Sequence, residues 1–279
     1  MKAIFGKTSI GRFIVSTFLT LVACGMGLFT LSCRKHKDNI YYRICGTGGW
    51  NAVWFVNEQP AYIGYDWSGG YIKDVSMFIT NGVNTLRCKA VCTVADGFLH
   101  DFKLLKAPFN NPTVLWESAK FDQSATDIDK TVKFKARTTN TWAWTGGDLL
   151  TETDKKDVAQ IVSQLYDFLV SITNQTTLIS EMEEGTVAWA SDANPSLKRY
   201  IASFALPILR NHQEPFEFSI VETNNVKVMF GTKVALLYAD SANLLSSKPI
   251  GDSEGTFSIA VPYAYFFRKE GEWIMLENH

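Results

Sequence analysis

The first half of the chain contains three cysteines whose spacing bears on disulfide formation and metal binding. Cys88 and Cys92 are four residues apart in the stretch LRCKAVCTV, and alternation along a strand would direct both thiols to one face. Their separation of about 13 Å along a strand is too long for a mutual disulfide. Each could instead pair with Cys45 on a neighbouring strand, or all three could be buried free thiols. No metal site is expected, because the chain has no CxxC pair and the nearby histidines are His36 and His100.

The N-terminus has the order of features that is typical of an export signal. A basic lead (Lys2, Lys7, Arg12) precedes an eleven-residue apolar run over 13–23, which is shorter than the roughly 20 residues of a spanning helix. The sequence LVAC at 21–24, followed by glycine, resembles the lipobox of bacterial lipoprotein precursors. The resemblance implies that 1–23 is a removed signal peptide, that Cys24 is lipidated, and that 24–38 is a tether.

Other processing routes fit the same stretch. Apolar character continues to Ser32, so 13–32 could span a bilayer uncleaved. Lipidation at Cys33 is a further alternative, although Leu31 lies one place late for that motif, and plain secretion is the fourth. Every alternative predicts an exported chain, facing the periplasm or the cell surface, and all but plain secretion attach it to the membrane. Lipidation at Cys24 would leave an even number of cysteines, which suits an oxidising envelope.

Composition excludes several broad classes. The 279 residues are 46% hydrophobic and 20% charged, with a net charge of −1, which is ordinary for a globular chain and argues against disorder or many membrane spans. A dedicated nucleic-acid binder would need an excess of basic residues. Residues 39–150 carry a net charge of +1 and residues 151–279 carry −7. The acidic half could attract a basic partner or simply aid solubility.

The residues from 39 to 148 predict an antiparallel β-sandwich, because short β-rich runs alternate with turn signals. The predicted strands are 40–45, 52–56, 61–65, 75–79, 84–91, 98–105, 113–118 and 131–137. The segment 53–91 resembles the immunoglobulin-like or galactose-binding-like sandwich modules attached to bacterial surface proteins and glycosidases. Gly82-Val83-Asn84-Thr85-Leu86 matches their G-x-N-x-L element, whereas Val56-Asn57-Glu58 departs from their Asn-Gly turn. Six of the eight tryptophans lie in this half; they could stack on sugars or fill a core.

The residues from 151 to 279 predict an α+β domain, so the fold class overall is mixed. Thr151-Glu152-Thr153-Asp154 resembles a capping box, and the apolar spacing that follows predicts an amphipathic helix. A short helix over 178–184 and another after Asn194-Pro195 complete the helical part, and Pro207 is expected to kink or end the latter. Four strands are predicted after these helices: 216–221, 226–239, 256–268 and 272–276.

Helices followed by an antiparallel meander resemble the NTF2-like (SnoaL-like) cone, a layout that cystatin-like proteins share. The element that carries the resemblance is the closing stretch YFFRKEGEWIM at 265–275, in which the residues that match are Tyr265, Arg268, Gly271 and Trp273. Enzymes of that family place Asp, His or Tyr in an apolar pocket that tunes their pKa. The resemblance implies a pocket whose candidate residues are Asp167, His212, Tyr263 and Tyr265. Glu181 and Asp192 are weaker candidates, and the long faces of the predicted strands 226–239 and 256–268 are nearly free of ionisable groups.

Three functions follow as hypotheses. The leading one is a non-catalytic, membrane-anchored envelope lipoprotein that binds a protein, an envelope glycan or an incoming toxin. The second is a small-molecule-binding protein, or an isomerase or hydrolase, that uses the pocket. The third is a carbohydrate-binding module that uses the tryptophans. No motif for a nucleophile, a nucleotide phosphate or a cofactor occurs in the sequence, so an enzyme is the less favoured alternative and no cofactor is expected.

Overall fold

A computed structural model describes residues 41–64, 71–93, 100–107, 112–118, 125–139, 141–184, 201–212, 216–240, 243–251 and 256–276. Contacts divide the chain into residues 1–39 and residues 40–279, and all described residues belong to the second unit. The predictions for the signal peptide, the anchor, Cys24, Cys33 and the tether therefore lie outside the described residues. Asp192 and Trp67 lie outside them as well.

Two four-stranded antiparallel sheets form the first half, in an arrangement compatible with a β-sandwich. The first sheet has the order β4-β1-β6-β7 and the second has the order β3-β2-β5-β8. Buried side chains of both sheets belong to one core. The strands are β1 (Tyr41–Gly46), β2 (Trp50–Val56), β3 (Gln59–Gly64), β4 (Tyr71–Asp74), β5 (Gly82–Cys92), β6 (Lys103–Ala107), β7 (Thr113–Glu117) and β8 (Asp127–Ala136).

A pair of asparagines holds the β2–β3 turn against the start of β5. Asn57 and Glu58 both have positive φ, as a two-residue type I′ turn requires, so glutamate occupies the place that glycine usually takes. The Asn57 side chain donates to the Phe78 carbonyl and to Asn84 Oδ1 at 2.9 and 2.7 Å. Asn84 is fully buried and also binds the backbone of Thr80 on both sides of its amide. The G-x-N-x-L motif thus supplies a structural asparagine.

One predicted strand of this half is wrong. The stretch 75–79 forms a 3₁₀ turn at Ser76–Phe78, and the strand in this region is β4, which lies immediately before the turn and pairs with β1. Asp74 Oδ1 accepts a hydrogen bond from the Ser76 amide at 2.7 Å. Asp74 therefore ends the strand by binding the backbone of the turn, which β-propensity alone does not reveal.

The described part of the second half contains three helices and a four-stranded antiparallel sheet. The helices are α1 (Val158–Ser171), α2 (Gln175–Glu184) and α3 (Leu206–Asn211). A π-helical turn at Ile201–Ala205 precedes α3. The strands are β9 (Phe218–Ile220), β10 (Val226–Phe230), β11 (Val234–Ala239), β12 (Leu245–Ser247), β13 (Ile250–Gly251), β14 (Thr256–Phe257), β15 (Ala260–Val261), β16 (Tyr263–Lys269) and β17 (Glu272–Met275).

The predicted amphipathic helix is confirmed as α1, and Ile161, Val162, Leu165 and Leu169 are its buried face. The predicted capping box forms between Thr151 and Asp154, but the amphipathic helix does not follow it directly. The Thr151 amide and hydroxyl both donate to Asp154 Oδ2, and the Asp154 amide donates to Thr151 Oγ1. A 3₁₀ turn at Asp154–Lys156, with Thr153 as its N-cap residue, follows instead. The Asp154 carboxylate also forms an ion pair with Arg268, which joins this turn to β16.

Two long predicted strands are each interrupted. The stretch 226–239 is a hairpin, β10 and β11, in which Phe230 pairs with Ala235. The even-numbered residues of 226–239 would share one face of a continuous strand, but they do not share a face in this hairpin. The stretch 256–268 is divided into β14, β15 and β16, and Pro262 stands between the last two, where it cannot donate a ladder hydrogen bond. Val261 packs in one core and Tyr265 in the other.

Both faces of the β10-β11-β16-β17 sheet are covered. Ala235, Leu237 and Phe266 belong to the core that contains the helices. Val234, Leu236, Tyr265 and Phe267 belong to the core of the first two sheets. The residues on either side of the predicted boundary at 148–151 therefore share a core, in which this sheet is the middle layer.

Candidate functional site

The structure does not bring the four predicted pocket residues together in one contact network. Asp167 lies on the exposed side of α1. His212 follows α3 and its ring stacks on Phe216, with centroids 5.0 Å apart. Tyr263 and Tyr265 lie on β16, where Tyr265 belongs to the core of the first half rather than to the helical core. The two tyrosines therefore face away from the helices that would form a cone-like pocket.

Tyr263 instead lies in a cluster with residues of the first half. We call this cluster the tyrosine–lysine patch and define it as Tyr62, Tyr71, Lys73 and Tyr263. The Tyr62 ring centroid is 4.7 Å from that of Tyr71 and 6.0 Å from that of Tyr263. Lys73 Nζ lies 5.8 Å from the Tyr62 centroid and 5.7 Å from the Tyr263 centroid. The ammonium group thus contacts two aromatic rings at cation–π distance.

Strand register explains why residues so far apart in sequence meet here. β3 and β4 are edge strands of the first two sheets. Lys73 pairs with the buried Ile44, so its side chain is directed towards the interior side of the first sheet. Tyr62 pairs with the buried Trp54 and faces the same interior from the second sheet. Tyr263 comes from β16, so three sheets contribute to the patch.

A glycine and a tryptophan fix the orientation of Tyr71. Gly46 pairs with Tyr71, and a Cβ at Gly46 would lie 2.4 Å from the Tyr71 ring, so only glycine leaves room for the tyrosine. Trp54 Nε1 donates a hydrogen bond to the Tyr71 hydroxyl at 2.5 Å. Behind the patch, the Tyr265 hydroxyl donates to the Ala61 carbonyl at 2.5 Å. The rings are therefore held before any ligand arrives.

The electrostatics of the patch keep its hydroxyls neutral. Burial raises the pKa of Tyr62 to about 12. Burial also raises the pKa of Tyr71 and of Tyr265 above the usual tyrosine range. At neutral pH these groups are protonated, so they cannot serve as general bases. Tyr71, Lys73 and Tyr263 are half-exposed, so the patch offers ring faces, hydroxyls and one cation to a ligand.

The cysteines do not form the disulfides that the sequence allowed. Cys45 and Cys88 are free thiols, and Cys45 forms no disulfide with either of its candidate partners. Cys45 alternates with the buried Ile44 on β1 and pairs with the exposed Ile72, so it faces away from the core. Cys88 is buried in that core on β5, and burial raises its pKa. Cys45 therefore lies on the outer side of the first sheet, whereas Cys88 lies in the core between the two sheets, so the two thiols do not pair.

The tryptophans of the first half act in the core where the structure describes them. Trp50, Trp54 and Trp144 are buried, and Trp116 and Trp142 are half-buried. Trp144 Nε1 donates to the Met77 carbonyl at 2.8 Å, which ties the segment after β8 to the first half. These five side chains form no exposed row on which a sugar could stack. In the described ranges, no three His, Cys, Asp or Glu side chains are placed to hold a metal ion.

Sequence reasoning missed two features. One is Gln59, a buried side chain with four hydrogen bonds that connects the two halves; no local pattern marks it. The other is a basic strip on β8 and just after it, which we define as Lys133, Lys135 and Arg137. The alternation of basic and apolar residues in KFKAR is a visible signal for such a strip, because every second residue of a strand lies on one face.

No family model, no curated protein and no solved structure matches this chain. None of the helices in the described part of the chain has the length and apolar content needed to cross a membrane.

Proposed function

We propose that this chain is an exported, membrane-anchored protein of the bacterial cell envelope that works by non-catalytic binding of a partner. The tyrosine–lysine patch is the observation that supports partner binding in this proposal. Its half-exposed members come from β4 and β16, and its rings contact one another and the Lys73 ammonium. The patch is therefore a preformed surface that three sheets support.

The chemistry of the patch suits recognition. Tyrosine is enriched in binding surfaces because it gives a large contact area, a hydrogen-bonding hydroxyl and little loss of conformational entropy. The lysine adds a cation that can bind a carboxylate or a sugar hydroxyl. Tyrosine, tryptophan and lysine side chains contact one another in the patch, and the raised pKa values of Tyr62 and Tyr71 keep their hydroxyls protonated at neutral pH. A protein segment or an envelope glycan is a partner of matching chemistry.

The side chains of the patch are already ordered without a partner, which favours a role in binding. Tyr71 is held by Trp54 and packs against Gly46, and Tyr265 behind it is hydrogen-bonded to the neighbouring β3 backbone. A surface that is already ordered loses less entropy on binding. Large aromatic side chains in such a setting are the usual dominant contributors to affinity.

The N-terminal sequence supports the location. The basic lead, the apolar run and the LVAC sequence ending at Cys24 stand in the order that lipoprotein export requires. β1 begins at Tyr41, seventeen residues after Cys24, so a lipid at Cys24 would attach the folded unit to the membrane through that stretch.

The binding part is tested by photocrosslinking in cells. A benzophenone amino acid replaces Tyr263 in one strain and Tyr166 in the other; Tyr166 is a tyrosine on the exposed side of α1. We expect a discrete adduct at position 263 and none at position 166, and the adduct mass distinguishes a protein from a glycan. The adduct should decrease when Lys73→Met is added. Equal yields at both positions, or no adduct at position 263, would contradict the proposal.

A further inference from the structure

The single Asn-Gly pair of the chain, Asn81-Gly82, lies at the start of β5. Both residues are exposed. Gly82 has a φ of 105°, a backbone conformation that glycine adopts far more readily than other residues. Apart from its chain neighbours, no atom lies within 4 Å of the position that a Cβ would take there. Neither a side chain at position 82 nor a group packed against it therefore shields this peptide bond from solvent.

An exposed Asn-Gly pair can react with itself, with water as the co-reactant, and asparagine counts among the thermolabile residues for this reason. The Gly82 nitrogen, after loss of its proton to solvent, attacks the side-chain carbonyl carbon of Asn81. The new N–Cγ bond forms, the Cγ–Nδ2 bond breaks, and ammonia leaves. Water then opens the resulting succinimide at either carbonyl, which leaves aspartate or isoaspartate at position 81. A side chain on the following residue crowds the attacking nitrogen, and glycine removes that obstacle.

Two cations of the basic strip lie beside this peptide bond. Gly82 pairs with Ala136 of β8, and the residues on either side of Ala136 are Lys135 and Arg137. Ala136 is buried, so the alternation of a strand directs its two neighbours to the outer face, where both are exposed. Neighbouring positions of paired strands lie about 5–8 Å apart. This separation does not exceed the screening length of about 8 Å at physiological ionic strength.

The acidic residues of β8 do not cancel this charge. None of the ion pairs in the described part of the chain involves Lys135 or Arg137. Asp129, the nearest acidic residue of β8, accepts two hydrogen bonds from Arg87, both at 2.7 Å. Six residues separate it from Lys135, about 20 Å along a strand. The two cations therefore stabilise the anions through which the reaction passes, namely the deprotonated glycine nitrogen and the oxyanion of the asparagine side chain.

We infer that Asn81 is a site of spontaneous deamidation in the folded protein and that the two flanking cations promote the reaction. Deamidation at this position needs neither a partner nor a membrane anchor. Asn84 Nδ2 donates to the carbonyls of Thr80 and Gly82 at 2.8 and 3.2 Å, one on each side of Asn81. Isoaspartate adds one atom to the main chain between these two carbonyls, so the modification loosens the turn that leads into β5.

The test incubates the purified full-length protein at mildly alkaline pH and low ionic strength, and peptide mass spectrometry with isoaspartate detection follows positions 81 and 225 over time. Asn225 is the internal control, because it is exposed and precedes Val226, whose branched side chain crowds the following nitrogen. We expect aspartate and isoaspartate to accumulate at position 81 while Asn225 stays intact. An intact Asn81 in the folded protein, under conditions in which the urea-unfolded chain reacts, overturns the inference.

Charge variants test the role of the two cations. Lys135→Gln and Arg137→Gln should each slow deamidation about twofold, and the double variant about fourfold, as expected for unit charges about 8 Å away in water. Lys248→Gln is the matched control, because Lys248 is exposed, forms an ion pair with Glu217 and lies outside β5 and β8; it should leave the rate unchanged. In urea, where strand pairing is lost, all variants should react at one rate. Equal rates for the folded wild type and the folded double variant overturn the role assigned to the cations.

Discussion

Gln59 is the residue whose replacement tests most sharply that the two halves share one folded structure. Its side chain is 2% exposed. Nε2 donates to the Asn57 carbonyl at 3.0 Å and to the Thr232 hydroxyl at 2.5 Å. Oε1 accepts hydrogen bonds from the Lys233 and Val234 amides, both at 2.9 Å. The side chain therefore joins the β2–β3 turn to the β10–β11 turn.

We predict that Gln59→Ala lowers the free energy of unfolding by about 3–5 kcal/mol. The substitution removes the acceptor of two amides, and a buried donor left without a partner costs about 1–3 kcal/mol. The void left by the shorter side chain adds to this cost. For a chain of this size, such a loss lowers the melting temperature by about 10 °C.

Equilibrium urea unfolding, followed by tryptophan fluorescence and by far-ultraviolet circular dichroism, measures the effect. Gln160→Ala is the matched control, because Gln160 is exposed on α1 and its replacement should change stability by less than about 0.5 kcal/mol. The two probes should report one coincident transition in the wild type. A loss at Gln59 no larger than that at Gln160 would refute the reasoning.

Three further predictions concern Tyr62, Gly231 and Cys88. Burial raises the pKa of Tyr62 from the ordinary value of 10.0 to about 12, so the stabilisation that the neutral phenol contributes is complete below pH 10 and is lost as the pH rises to about 12. Alkaline stability curves should therefore fall by about 3 kcal/mol more in the wild type than in Tyr62→Phe, with Tyr166→Phe behaving like the wild type. Gly231→Ala should destabilise the chain, because the new Cβ would lie 2.5 Å from the Glu58 carbonyl oxygen; an unchanged melting temperature would contradict this. Maleimide should label the buried Cys88 at least about tenfold more slowly in the folded protein than in urea, and recovery of Cys88 in a disulfide peptide would contradict the free thiol.

Local sequence patterns predicted the elements that depend on local physics. The apolar spacing at 161, 162, 165 and 169 identified α1 because a helix that buries one face has that period. The Asn84 motif correctly marked the start of β5. Thr151 and Asp154 do form a capping box. A 3₁₀ turn follows it, and the helix begins only after Asp157.

The errors come from interactions between distant residues. Tyr263 and Tyr265 were assigned to a pocket under the helices, but β16 lies in a middle layer, and Pro262 interrupts the strand that would have kept Val261 and Tyr265 on one face. Nothing in the sequence near Lys73 predicts the Tyr62 and Tyr263 rings, because they come from other sheets. Gln59 is likewise defined only by its partner turn, more than 170 residues away.

The central claim, a membrane-anchored envelope protein, is tested most directly by intact mass spectrometry of the membrane fraction, with Cys24→Ser beside the wild type and Cys33→Ser as the matched control. The account predicts a wild-type mass that begins at Cys24 and carries acyl chains. Cys24→Ser should lose this mass, whereas Cys33→Ser should keep it. A chain that begins at Met1 in the membrane fraction would make 13–32 a spanning anchor and contradict lipidation. A processed chain found only in the soluble fraction, without acyl groups, would contradict anchoring altogether.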